Sequence, residues 1–88
     1  MTEEQIDETL TALLAPLLTN CTLSVSHKMH TQVHGTAWVG LKTKVNKNEY
    51  YALVSARFVV ENNIVSVSNW QQFRDEATTQ LGKQVFAA

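Results

Sequence analysis

The sequence predicts an α+β fold, a two-layer sandwich in which a four-stranded antiparallel meander carries both helices on one face. Three observations lead to this prediction. Apolar residues recur at steps of three and four near both ends of the chain, as in amphipathic helices. Between residues 21 and 68 the apolar period falls to two, as in strands with one buried face. Short polar segments divide this middle region into four consecutive strands.

The first helix is predicted to begin at Thr2, because Thr2 and Gln5 have the spacing of a capping box. Pro16 has no amide hydrogen and clashes with the preceding turn, so the helix is expected to kink or break near Ala15. The predicted core-facing stripe consists of Ile6, Leu10, Leu13, Leu14, Leu17 and Leu18.

The strand register follows from the requirement that all strands share one apolar face, because a slip of one residue moves every side chain to the other face. A turn at residues 30–32 places Val25 opposite Ala37. A second turn, at residues 46–49, places Ala37 opposite Phe58. Each predicted pair joins two apolar residues, and these residues form the predicted inner face of the sheet.

The third turn and the last helix complete the predicted order αββββα. Asn62-Asn63 suits a two-residue hairpin turn, because asparagine tolerates positive φ, and this turn pairs Val60 with Val65. The last helix is expected to begin after Ser68 or Asn69, with Gly82 as a weak point that costs about 1 kcal/mol relative to alanine. Its apolar stripe is Trp70, Phe73, Ala77, Leu81 and Val85.

Size and composition indicate one small globular domain over residues 1–88. Hydrophobic residues make up 44% of the chain and charged residues 17%, which is ordinary for a globular protein. Cys21 is the only cysteine, so no internal disulfide can form. No apolar run approaches the roughly 18 residues that span a bilayer, and the first residues are acidic rather than basic. We therefore expect a cytoplasmic protein that does not enter a membrane.

The outer face of the sheet carries the candidate binding residues. In the predicted register Trp38 lies opposite Arg57, which would allow a cation–π contact. The same face has more apolar and aromatic area than a solvated surface needs, and such patches usually mark interaction sites. The predicted partner-binding residues are Trp38, Arg57, Tyr51, Leu53, Val59, Lys42 and Lys44.

Two functions use this face. The first is a non-enzymatic protein-interaction module, a small accessory, regulatory or inhibitory protein, which forms a homodimer through its sheet. Tryptophan and arginine are enriched among the residues that dominate such interfaces. The alternative is nucleic-acid binding, in which Trp38 and Tyr51 stack on bases while the lysines and Arg57 contact phosphates. A sequence pI near 6.3 disfavours this alternative, since dedicated binders are usually basic.

An enzymatic function is not expected. His27, His30 and His34 are close in sequence, but the register places them on the inner face, in a turn and on the outer face. No carboxylate is close enough in sequence to orient an imidazole or to complete a metal site. Cys21 has no evident histidine partner that would activate its thiol. The sequence therefore predicts no catalytic residue, no metal site and no cofactor.

Overall fold

A computed structural model describes residues 1–87 and has the predicted α+β architecture. The four strands form one antiparallel sheet in the order β1-β2-β3-β4, and both helices pack against the same face of this sheet. The elements are α1 (Glu3–Leu14), β1 (Cys21–Met29), β2 (His34–Val45), β3 (Asn48–Glu61), β4 (Ile64–Val67) and α2 (Trp70–Leu81), with short 3-10 turns at Ala15–Leu17 and Lys83–Val85.

The start and end of α1 agree with the sequence-based prediction. The Thr2 hydroxyl accepts a hydrogen bond from the Gln5 amide at 3.1 Å, and the Thr2 amide donates to the Gln5 side chain at 2.8 Å. Regular helix stops at Leu14, and Pro16 lies in the 3-10 turn that follows. The buried stripe of α1 is narrower than the predicted one, because Leu13, at its margin, is 39% exposed.

The sheet register differs from the prediction by two residues in the first two hairpins. Val25 pairs with Val39 rather than Ala37, and Ala37 pairs with Ala56 rather than Phe58. The β2–β3 turn is the physical reason for the second shift. It contains only Asn46 and Lys47, both at positive φ (51° and 71°), instead of four residues. An even shift changes the partners but leaves every side chain on its predicted face.

The other two turns explain the rest of the register. The β1–β2 turn is displaced by one residue, because the His30 amide donates to the His34 carbonyl and residues 31–33 connect the strands, which shifts the partners by two. The β3–β4 turn is Asn62-Asn63, with φ of 52° and 61°, and Val60 pairs with Val65 as predicted.

The core between the helices and the sheet consists of two adjoining clusters. One is centred on Phe73 of α2 and the middle of β2 and β3, and the other on Leu10 of α1 and Phe58. Val25 and Val67 pack against both clusters. The two helices are thus connected through side chains of the sheet that contact both clusters.

The C-terminal helix ends earlier than its apolar stripe suggested. Gly82 has φ of +91° and caps α2, so it terminates the helix rather than weakening its interior. Val85 is still buried, but it lies in the 3-10 turn beyond Gly82. None of the helices described in residues 1–87 is long and apolar enough to cross a bilayer.

Candidate interaction face of the sheet

The outer face is the side of the sheet opposite the two helices. Strand alternation directs residues such as Trp38, Tyr51 and Leu53 to this side, while their neighbours Val39, Ala52 and Val54 are buried on the other. The exposed fractions are 36% for Trp38, 68% for Tyr51 and 66% for Leu53. The outer face therefore presents several large exposed side chains, and no helix among residues 1–87 covers it.

A shallow depression lies beside these side chains, at Gly40. Gly40 pairs with Ser24 on one side and with Leu53 on the other, and its lack of a side chain leaves a gap in the outer face. The open depression there has a volume of about 250 Å³ and extends to Lys42 and Tyr51. A protruding Leu53 and a depression at Gly40 thus occur directly opposite each other in the register.

Trp38 and Arg57 are not directly opposite each other, contrary to the sequence-based expectation. Trp38 pairs with Ser55, and Arg57 pairs with Thr36, because the two-residue β2–β3 turn shifts the register. Arg57 is instead a diagonal neighbour of Trp38, one pair further along the same face. Its backbone amide donates to the Asn69 side chain at 2.7 Å, which fixes this part of β3 to the start of α2.

Lys42 belongs to a polar cluster with Glu49 and Tyr51. The Lys42 ammonium lies 3.4 Å from the Glu49 carboxylate and 5.6 Å from the centre of the Tyr51 ring. The Tyr51 hydroxyl donates to the same carboxylate at 3.1 Å. The hydrogen bond to Glu49 raises the pKa of Lys42, with a further contribution from Tyr51. Lys44 also pairs directly with Glu49 across the strands, so one carboxylate faces both lysines.

Two residues change the expected extent of the apolar patch. Val59, a predicted binding residue, is only partly exposed and pairs with His34 and with Ser66 of β4. Ile64 was missed, although it is 67% exposed at the β3–β4 hairpin. Alternation could have found it, since Val65 is buried and Ile64 must point the other way.

His27 lies on the inner face, whereas His30 and His34 are backbone partners across the β1–β2 turn, and His27 has an unexpected side-chain partner. Asp7 of α1 lies 2.6 Å from Nδ1 of His27, so a carboxylate does orient this imidazole, contrary to the expectation from sequence. The His27 side chain is 4% exposed and packs edge-on against Phe58. His30 instead bonds Thr36. Within residues 1–87, no group of three or more His, Cys, Asp or Glu side chains is placed to hold a metal ion.

Comparisons with known proteins assign the chain to no family. No family model, no curated protein and no solved structure matches it.

Proposed function

We propose that this protein is a non-enzymatic interaction module whose outer face binds a second copy of the same chain. The supporting observation is the group of Trp38, Tyr51 and Leu53, which are exposed together on the sheet face that the helices leave uncovered. Burial of such side chains supplies most of the binding energy in protein interfaces. A cytoplasmic accessory, regulatory or inhibitory role remains part of this proposal.

A second copy suits this face because the face is complementary to itself. A twofold interface brings one patch against the same patch, so a protruding group and its receiving depression must both lie within it. Leu53 and the depression at Gly40 meet this condition. The molecule measures 43 × 22 × 21 Å, and its broad face can bury on the order of 800 Å² per protomer, the size of a standard interface.

The charges on the outer face favour nucleic-acid binding less than self-association. Lys42 already pairs with Glu49, and Lys44 faces the same carboxylate, so these lysines are partly neutralised before any phosphate arrives. The alternative predicts a salt-sensitive fluorescence change of Trp38 when single-stranded DNA is added. Absence of that signal at low salt would exclude it.

The test of the outer face is sedimentation of purified variants over a wide concentration range. Trp38→Ala and Leu53→Ala should each raise the dissociation constant of the dimer roughly tenfold or more, as expected for central interface residues. Tyr50→Ala is the matched control. Tyr50 is 48% exposed, adjacent in sequence to Tyr51, and directed to the helix side of the sheet.

The outcomes separate the possibilities clearly. Unchanged self-association in Trp38→Ala and Leu53→Ala, with native circular dichroism, would reject the outer face as the dimer contact. A wild-type protein that is monomeric throughout would reject self-association, and the DNA titration would then decide whether the face binds nucleic acid.

A further inference from the structure

β1 is an edge strand with a regular row of backbone groups that point away from the sheet. The His30 amide donates to the His34 carbonyl at 2.9 Å, and this pair continues the β1–β2 ladder. Hydrogen-bonded and non-bonded pairs alternate in an antiparallel ladder, so Ser24 and Ser26 direct their amides toward β2. The residues that direct theirs outward, here called the outward row, are Cys21, Leu23, Val25, His27 and Met29.

The outward row has no partner within the part of the chain that the structure describes. No backbone or side-chain hydrogen bond in residues 1–87 reaches its amides or carbonyls. Natural edge strands are usually short or interrupted by proline, bulges or several charges. β1 has nine residues, an unbroken register and one charged side chain, Lys28. The opposite edge strand, β4, has only four residues, so it has far fewer backbone groups with which another strand could pair.

The residues of the outward row are only partly covered by the rest of the molecule, although the His27 side chain is itself only 4% exposed. All five are intermediate in exposure, whereas Ala37, Val39 and Leu41 beside them in β2 are buried. The first half of β3 is also unpaired on its β4 side, but its inner residues Ala52 and Val54 are already buried. β1 is therefore the edge where added chain would cover apolar surface as well as backbone.

We propose that β1 pairs antiparallel with β1 of a second copy, about a twofold axis at Val25, and joins the two sheets into one. This contact is separate from the outer face and does not depend on it. Each residue of the outward row then faces another member of the row, which allows about ten inter-chain hydrogen bonds. On the inner side Val25 faces Val25, Leu23 faces His27, and Cys21 faces Met29.

The charges of β1 favour its own copy as the partner. In this register Lys28 faces the partner's Thr22, and Ser24 faces the partner's Ser26, so no two lysines are opposed across the strands. The apolar residues meet apolar residues or the His27 ring, and the polar residues meet polar ones. A second copy thus satisfies the side-chain pattern on both faces of the extended sheet.

Amide hydrogen exchange tests the backbone contact directly. At about 1 mM protein, the amides of Leu23, Val25 and His27 should exchange roughly tenfold or more slowly than in dilute solution, because pairing shields them. The amides of Ser24 and Ser26, bonded to β2, are protected at both concentrations and serve as internal controls. Fast exchange of the outward row at every concentration, with the two serines protected, would overturn the proposal.

Proline at the centre of the edge provides a matched variant. Val25→Pro removes an amide that β2 does not use, and edge strands tolerate proline at such positions. It should abolish edge pairing and leave the circular dichroism spectrum native. Val25→Ala trims the same side chain but keeps the amide, so it should still pair. A Val25→Pro protein that keeps the slow exchange at Leu23 and His27 would overturn the proposal.

Two double variants of opposite charge test the same contact if the proline variant fails to fold. Ser24→Lys combined with Ser26→Lys opposes lysines across the proposed contact, while both side chains are exposed in the monomer. In this variant the amides of Leu23, Val25 and His27 should exchange fast at every concentration, and an equimolar mixture with Ser24→Glu/Ser26→Glu should restore their slow exchange. Exchange that stays fast in the mixture, with Ser24→Lys/Ser26→Lys and Ser24→Glu/Ser26→Glu both folded, would contradict the register.

Discussion

At the scale of single residues, the buried His27 imidazole depends on one carboxylate. Nδ1 of His27 lies 2.6 Å from Asp7, and the ring is enclosed between α1 and the sheet. Asp7→Ala leaves this nitrogen without its partner, and loss of a partner from a buried polar group costs about 1–3 kcal/mol. We expect a loss of this size in the free energy of unfolding, measured with urea.

Glu8→Ala is the matched control for Asp7→Ala. It removes a carboxylate from the next position of the same helix, and no hydrogen bond or ion pair of the Glu8 side chain occurs within residues 1–87. Its effect should stay within about 0.5 kcal/mol. Equal losses in the two variants would show that helix charge, and not the His27 contact, is responsible.

The Cys21 thiol should react slowly in the folded protein. Burial raises the pKa of this thiol, and a hydrogen bond with the Lys42 backbone opposes the shift only in part. Because the thiolate is the reactive form, a raised pKa lowers its population at neutral and mildly alkaline pH. Ellman's reagent at pH 8 should therefore modify the folded chain more slowly than the urea-unfolded chain. Equal rates in both states would contradict this expectation.

At the scale of secondary-structure elements, two glycines have opposite roles. Gly82 ends α2 at φ of +91°, a region that side chains rarely adopt, and a Cβ there would also meet the Gln84 side chain. Gly82→Ala should lower the free energy of unfolding by about 1–3 kcal/mol, the usual cost of such backbone strain. Thermal and urea unfolding would measure it.

Gly40→Ala is the control for the strain at Gly82. A Cβ at Gly40 would lie 3.7 Å from its nearest neighbour, the Ser24 carbonyl oxygen, which is an ordinary contact. This substitution should leave stability unchanged or raise it by up to about 1 kcal/mol, because alanine lowers the entropy of the unfolded chain. A loss as large as that of Gly82→Ala would indicate that space, and not backbone conformation, limits both sites.

Turn conformation explains which parts of the sheet the sequence could predict. Alternation identifies the face of each residue, and this prediction was confirmed for all four strands. Cross-strand partners depend on the number of turn residues. Asn62-Asn63 has two residues suited to positive φ, but Lys47 gives no such signal although its φ is 71°. The predicted β2–β3 partners are therefore wrong by two, as is the pairing of Trp38 with Arg57, whereas the β1–β2 partners are wrong by two because the turn there is displaced to residues 31–33.

Contacts between elements that are distant in the chain could not be predicted from the sequence. Asp7 and His27 are separated by 20 positions, and their contact depends on how α1 crosses the sheet. No periodicity encodes that crossing. The predicted binding residues Trp38, Tyr51 and Leu53 are exposed together because they depend only on strand parity, which the alternation does encode.

At the scale of the whole molecule, the two core clusters should unfold as one unit. Leu10 belongs to the cluster under α1, and Trp70 packs against the cluster under α2. Val25 and Val67 join the two. In a Trp38→Phe background, Leu10→Ala should lower the stability reported by Trp70 fluorescence by about 2–5 kcal/mol.

Leu13→Ala provides the comparison within the same helix. Leu13 is 39% exposed whereas Leu10 is fully buried, so the Leu13 variant should cost far less. If Leu10→Ala shifted the circular dichroism transition but left the Trp70 transition in place, the clusters would be independent and the shared sheet would not couple them.

The near-equal short dimensions of the molecule affect how its assemblies diffuse. The 43 Å axis is twice either of the other two, 22 and 21 Å, so the monomer tumbles as a rod. Pairing through the β1 edge doubles one short dimension, and pairing through the outer face doubles the other. Either dimer is a plate with nearly the same frictional ratio and rotational correlation time. A change from rod-like to plate-like tumbling would thus report dimer formation, while the outward amides of β1 would report which side had paired.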